Sequence, residues 1–281
     1  MREYTIVNSF GEKLFSGNPV AVFFDCDDLN VEVMQKLAAE LHLSETTFIC
    51  SPKQGGDAHV KIFTPVNELG FAGHPLLGTA LALFKKTCSP NLKIETQKGI
   101  FNFLVRQVKE SPFTAYIQME LPTPVISPYE CQKELLEALG VKKSILPIEM
   151  YDVGPRHVFV GVENIVTLSA IRPDLKKLSA FSNMAVLCFC ADDVGVGWRL
   201  RMFSPAYGVT EDAATGSAAG PLAMHLARYG LAEFDKEIEI LQGVEMGRPS
   251  YMKGLIKIEN DIPCLAVGGF AFQIAIGQYL I

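Results

Sequence analysis

No lysine- or arginine-rich block occurs in the 281 residues, and the formal net charge is −6. A phosphate backbone would find no basic stripe here, which argues against a nucleic-acid partner. No apolar run approaches the roughly 18 residues that a bilayer-spanning helix needs. The opening Met1-Arg2-Glu3-Tyr4-Thr5-Ile6 also lacks the basic region and apolar stretch of an export signal. A cytoplasmic protein without membrane association is therefore expected. The seven cysteines contain no C-x-x-C pair, and several sit in apolar contexts such as Ala185-Val186-Leu187-Cys188-Phe189-Cys190. They read as reduced core residues. Cys188 and Cys190 would share a strand face, but two sulfurs without further ligands make no zinc site, so no metal is expected. No Walker lysine motif occurs, and Gly195-Val196-Gly197 lacks the third glycine and the strand-to-helix setting of a dinucleotide loop. It reads as a turn before Trp198.

What is present is an ordinary globular composition, 49% hydrophobic and 20% charged, in a chain long enough for two domains. The chain also contains itself twice. Val60-Lys61-Ile62-Phe63-Thr64-Pro65 returns as Leu200-Arg201-Met202-Phe203-Ser204-Pro205. In each copy, apolar and basic residues alternate before a proline, the pattern of a half-buried strand that the proline ends. A loop follows, then a glycine-marked helix start, Gly73-His74-Pro75 and Gly216-Ser217-Ala218. Pro75 suits the first helical position, Thr215 a cap, and Gly230 a C-terminal stop. Both helices are apolar nearly all round, so strands must wrap each of them. Weaker echoes keep the same order: Gly17-Asn18-Pro19-Val20-Ala21-Val22 against Gly154-Pro155-Arg156-His157-Val158-Phe159, and Gln97-Lys98-Gly99 against Gln242-Gly243.

The expected fold is therefore α/β (α+β): two pseudo-symmetric domains, each a curled, mostly antiparallel β-sheet around a central apolar helix. The join falls at Leu121-Pro122-Thr123-Pro124, giving domains 1–120 and 121–281, with the last strand able to return to the first half. An amphipathic helix over Val33 to His42 delivers Glu45 to the start of the β-rich Thr46-Thr47-Phe48-Ile49-Cys50.

Two helix starts at equivalent places would face one cleft, where free N–H groups and the positive ends of the helix dipoles suit a carboxylate. Glycines there also simply permit tight turns. A neutral His74 at such a start could orient substrate or a neighbouring carboxylate. Asp212, read as a loop carboxylate, gains from the nearby helix dipole whatever its role. Ser217 invites a hydrolase reading, but Gly216-Ser217-Ala218-Ala219-Gly220 is not G-x-S-x-G and no strand leads straight into it. Hydrogen bonding to a bound carboxylate fits it better.

Leu43-Ser44-Glu45-Thr46-Thr47-Phe48, Phe63-Thr64-Pro65, Phe71-Ala72-Gly73-His74-Pro75 and Glu211-Asp212-Ala213-Ala214-Thr215-Gly216-Ser217-Ala218 together resemble the signatures of the phenazine-biosynthesis-like (PhzF-like) isomerase family. The resemblance runs from Phe15-Ser16-Gly17-Asn18-Pro19 to Gly247-Arg248-Pro249-Ser250. It implies the diaminopimelate-epimerase-like fold, a homodimer and a cofactor-independent isomerase acting on a small carboxylate. It marks Glu45 as the proton-transferring acid/base with Asp212 and His74 as catalytic partners. Gly73, His74, Gly216, Ser217 and Asn18 become substrate contacts. In the related epimerases each half offers a cysteine at the helix start, whereas here those places hold His74 and Ser217. The family pattern is broken in three places: Gly70 and Ala213 stand where prolines are expected, and Asn8-Ser9-Phe10 replaces Asp-Ala-Phe. The competing expectation is a non-catalytic binding or interaction protein on the same fold.

Overall fold

The computed structural model describes residues 1–109, 111–192 and 197–281. Gly195 and Val196 of the glycine pair set aside above lie outside the described residues. The chain packs as two compact units, Met1–Glu120 with Gly268–Ile281, and Leu121–Val267.

The first unit carries β1 (Arg2–Ser9), β2 (Asn18–Phe23), α1 (Val31–Leu41), β3 (Glu45–Cys50), β4 (Ala58–Phe63), β5 (Glu68–Leu69), α2 (Gly73–Thr87), β6 (Asn91–Thr96), β7 (Gly99–Gln107) and β8 (Thr114–Leu121). Its pairings close a ring: β1 to β2, β3, β4, β6, β7 and β8 in turn, then through the chain's last strand, Ile262–Tyr279, back to β1. Helix α2 packs against β1, β2, β3, β6 and β7 and fills the barrel. Gly78 makes the close approach possible, since a Cβ there would lie 2.4 Å from Val20 Cγ1. Every residue of β3 is buried. Its inward face meets α2, where Thr47 Oγ1 and Thr79 Oγ1 are 2.8 Å apart. On its outward face Phe48 and Cys50 pack with Met34, Leu37 and Ala38 of α1. A strand covered on both faces reads as a continuous β-forming run and not as an alternation.

The second unit carries β9 (Val125–Pro128), α3 (Gln132–Leu139), β10 (Glu149–Asp152), β11 (Arg156–Gly161), α4 (Ile165–Ala170), α5 (Leu175–Leu178), β12 (Ala185–Ala191), β13 (Trp198–Ser204), β14 (Val209–Asp212), α6 (Gly216–Arg228), β15 (Glu237–Gln242) and β16 (Ser250–Glu259), and it holds the first part of β17 (Ile262–Tyr279). Its pairing order repeats that of the first unit. Strands β11 and β12 are parallel as β2 and β3 are, β12 and β13 antiparallel as β3 and β4 are. Strands β13 and β15 are parallel as β4 and β6 are, β15 and β16 antiparallel as β6 and β7 are. Helix α6 packs against β11, β15 and β16.

The outer covers differ. One helix, α1, covers the first unit's strands, whereas α3, α4 and α5 bury Val158, Val160, Val186, Cys188, Cys190 and Phe203 in the second. The expectation of two half-buried repeat strands therefore fails: β4 is buried except at Lys61, and β13 is buried from Arg199 onward. Arg201, the counterpart of Lys61, is buried, with Nε and Nη2 donating to Glu211 at 2.8 and 2.9 Å and Nη1 donating to the Leu168 and Ile171 carbonyls. A buried guanidinium persists only with such full pairing. The cysteine reading also needs correction. Cys26, Cys50, Cys188 and Cys190 are buried, but Cys88, Cys131 and Cys264 are exposed. Burial pushes the Cys188 thiol up to about 12, which keeps it protonated and inert.

Candidate active site

Helix α1 starts at the Asn30 cap, whose side chain accepts from Val33 N, and ends with His42 in the left-handed conformation. Three residues later β3 begins with Glu45, on the same face as Thr47 and therefore toward α2. His74 is the second residue of α2. Glu45 Oε2 lies 3.0 Å from His74 Nε2, and both side chains are almost fully buried. On the other edge of the ring, Asn18 Nδ2 lies 3.2 Å from His74 Nδ1. An amide nitrogen only donates, so Nδ1 faces it as the acceptor, and Nε2 is the ring nitrogen that lies beside the Glu45 carboxylate. Ser9 Oγ donates to the His74 carbonyl at 2.7 Å and anchors this turn from β1.

In the second unit Asp212 ends β14 and accepts a 2.7 Å hydrogen bond from Thr215 Oγ1. Gln242 locks the segment: its Nε2 donates to the Asp212 carbonyl at 2.8 Å and to Thr215 Oγ1 at 3.0 Å, while its Oε1 accepts from Thr215 N at 3.1 Å. Ser217, second in α6, has its Oγ 3.0 Å from His157 Nε2. Burial pushes the His157 ring down to about 3, so it is neutral.

The structure thus gathers Gly73, His74, Glu45 and Asn18 around one helix start, and Gly216, Ser217 and Asp212 around the other. Asn18, expected as a substrate contact, meets His74. Thr215 stands at the cap position, but its hydroxyl goes to Asp212; neither it nor Ala72 bonds a first-turn N–H with its side chain. Helix α6 begins at Gly216, directly after Thr215, as expected, whereas α2 begins two residues earlier than the expected first position Pro75. Pro75 is third in α2, still tolerated because the first four N–H groups of a helix have no partner within it. Of the departing positions, Asn8 and Ala213 are buried, and Gly70 is half-buried near Lys98 and Gln97. Sequence reasoning gave no role to Ser9, Gln242 or His157, although Gln242 and His157 stood inside the repeat echoes.

Residues 7–276 match the family model described as phenazine biosynthesis-like protein. The chain belongs to this family. The trans-2,3-dihydro-3-hydroxyanthranilate isomerase of Pseudomonas chlororaphis is 55% identical over 252 residues, covering 90% of this chain and 89% of that protein. A PhzF-family protein of Bacillus anthracis superposes with a TM-score of 0.89 at 24% identity, covering 100% and 99% of the two chains. A hydroxyproline epimerase from Agrobacterium vitis shares the fold with a TM-score of 0.70 at 11% identity, covering 98% and 91%. Family membership, with relatives of this identity named as isomerases, makes the phenazine-biosynthesis-like chain an isomerase of mixed α+β, epimerase-like fold. Among its described residues no helix is long and apolar enough to cross a membrane.

Proposed function

We propose that the protein moves a proton between two carbons of a small carboxylic acid, with Glu45 removing the proton and returning it. The observation that carries this reading is one-sidedness. Val20 faces Glu45 across β2 and β3, while His157 faces Ala185 across the corresponding pair β11 and β12. Where the first unit has its glutamate and histidine, the second has Ala185 and Ser217. Inversion by two opposed bases needs a proton carrier from each half, whereas a shift along one face of a substrate needs one.

The His74 ring, with Nε2 3.0 Å from Glu45 Oε2, confines the Glu45 carboxylate to one orientation. Ser217 and the N–H groups at Gly73 and Gly216 hold the substrate and offset the negative charge that develops on it as the proton leaves, while the Asp212 carboxylate accepts from donor groups of the substrate. This requires both helix starts to serve one substrate. The name of the Pseudomonas chlororaphis relative makes trans-2,3-dihydro-3-hydroxyanthranilate the first compound to test. The same reading makes the protein a cytoplasmic homodimer that works without metal or organic cofactor. A light-scattering mass of one chain would remove the dimer, and loss of activity on exhaustive chelation, restored by one metal, would remove metal independence.

The deciding experiment follows that compound in heavy water with wild type and Glu45→Gln at equal, verified folding. The glutamine keeps shape and hydrogen bonding but cannot carry the proton. Isomerisation with deuterium entering at the new carbon position is expected for wild type and a collapse of both for the variant. Equal rates would make Glu45 structural and His74 the next group to examine.

A further inference from the structure

His157 is buried on all sides, its Nε2 is 3.0 Å from Ser217 Oγ, and its Nδ1 has no hydrogen-bond partner. A neutral imidazole has one N–H and one acceptor nitrogen, so either tautomer leaves Nδ1 unsatisfied, one as a donor and the other as an acceptor. With the proton on Nδ1, a buried donor is orphaned and Nε2 accepts from the serine. With the proton on Nε2, only a lone pair is orphaned and Nε2 donates to Ser217 Oγ. Buried orphan donors are rarer in folded proteins than under-satisfied acceptors. The second tautomer is therefore the one this environment selects. It turns the serine hydroxyl proton away from the imidazole and leaves no free lone pair on Nε2 to take it.

We infer that His157 is a positioning residue that holds Ser217 as a hydrogen-bond donor to an anionic oxygen of the substrate, and not a base that makes Ser217 a nucleophile. This deepens the proposed function and rests on its placing of substrate at the α6 start. It also explains why a Ser–His contact of catalytic length occurs in a chain whose Gly216-Ser217-Ala218 lacks the strand-to-helix elbow of a hydrolase. A hydrolytic base must become cationic in mid-reaction. Burial holds this ring neutral down to about pH 3.

The test compares wild type, Ser217→Ala, His157→Leu, His157→Gln and the Ser217→Ala/His157→Leu double variant. The readout is the Kd for 3-hydroxyanthranilate, an aromatic carboxylate that cannot undergo the shift, measured by calorimetry after thermal melts have matched folding. Loss of one hydrogen bond to a charged oxygen predicts about a tenfold rise in Kd or somewhat more for Ser217→Ala. His157→Leu should give a similar rise. The double variant should be no worse than either single change, and His157→Gln, which retains an N–H donor, should recover most of the affinity. Nitrogen-15 spectra of wild type should show the Nε2–H tautomer unchanged from pH 8 to pH 5.

Additive losses, no recovery by glutamine, or the Nδ1–H tautomer would overturn the inference. So would labelling of Ser217 by a fluorophosphonate that His157→Leu abolishes. Unchanged affinity in Ser217→Ala, or no binding by wild type, overturns the inference together with the substrate-binding role on which it rests. Weakened binding in Ser217→Ala with normal binding in His157→Leu overturns the inference alone. Absence of proton exchange with intact binding overturns the proposed reaction and leaves the positioning role standing.

Discussion

At the start of α2 a histidine is held between an amide and a carboxylate, whereas at the start of α6 a serine is held by a histidine that is itself sealed in the core. The backbone frames match: a glycine opens each helix, a parallel strand pair runs beside it, and neither cap residue closes the first turn with its side chain. The chemistry diverges at two places, Glu45 against Ala185 and His74 against Ser217. Duplication thus keeps the glycine-opened helix start at both sites and leaves a carboxylate–imidazole pair at one. The polar group that faces the helix start from β2 or β11 changes as well, from Asn18 to His157, and with it the direction in which a proton can be offered.

The sharpest way to break this comparison is Glu45→Gln. Turnover should fall by about 10²–10⁴-fold, the usual contribution of a placed acid/base, while the thermal midpoint stays within a few degrees. Steady-state kinetics with a melt on the same sample checks both. If the second helix start serves only in binding and charge stabilisation, Asp212→Asn should lower turnover less, by about tenfold to a hundredfold. A larger loss than for Glu45→Gln would move the proton carrier to the second unit.

Stability against pH separates the units further. Burial holds His157 down to about 3 and His225 to about 4, the latter although Glu149 lies 3.4 Å from its Nδ1. Tyr151 and Tyr229 also face the His225 ring, and Arg228 caps the Glu149 carboxylate. Both rings lie in the second unit. The unfolded chain protonates them near their ordinary value of 6.5, the folded one only much lower, so stability is intact above about pH 6.5 and declines as pH falls toward 4. Each ring contributes a slope of up to about 1.4 kcal/mol per pH unit in that window. Urea unfolding at pH 7.5, 6 and 5 should show the decline, and His225→Phe should flatten it. The smallest effect expected is from Gly78→Ala, which forces a methyl against Val20 and should destabilise the protein by about 1–3 kcal/mol. Differential scanning calorimetry of that variant, with Gly70→Ala beside the flexible Lys98 and Gln97 side chains as a control, checks it.

Much of this frame was legible because repeats and periodicity are local signals. Val60–Pro65 and Leu200–Pro205 proclaim two copies of one strand, and helices apolar on every side require enclosure. The amphipathic run before Glu45 placed that residue at a helix-to-strand junction. Details that depend on what covers a residue were not legible. Lys61 and Arg201 look alike in sequence, yet α4 and α5 bury the second and Glu211 neutralises it. Cys88 and Cys188 are equally cysteine, and only the fold exposes one and seals the other.

The sequence by itself determined the duplication, the wrapped apolar helices, the two glycine-opened helix starts and the place of Glu45 at a helix-to-strand junction, because each is written in residue order and spacing over short distances. Only the tertiary structure decided that Asn18 meets His74, that Thr215 serves Asp212 instead of its own helix, and that His157 meets Ser217, 60 positions further along the chain. These pairings depend on strand register and on burial. A side chain's partner, and a titrating group's proton, are settled by the walls around it and not by its neighbours in the chain.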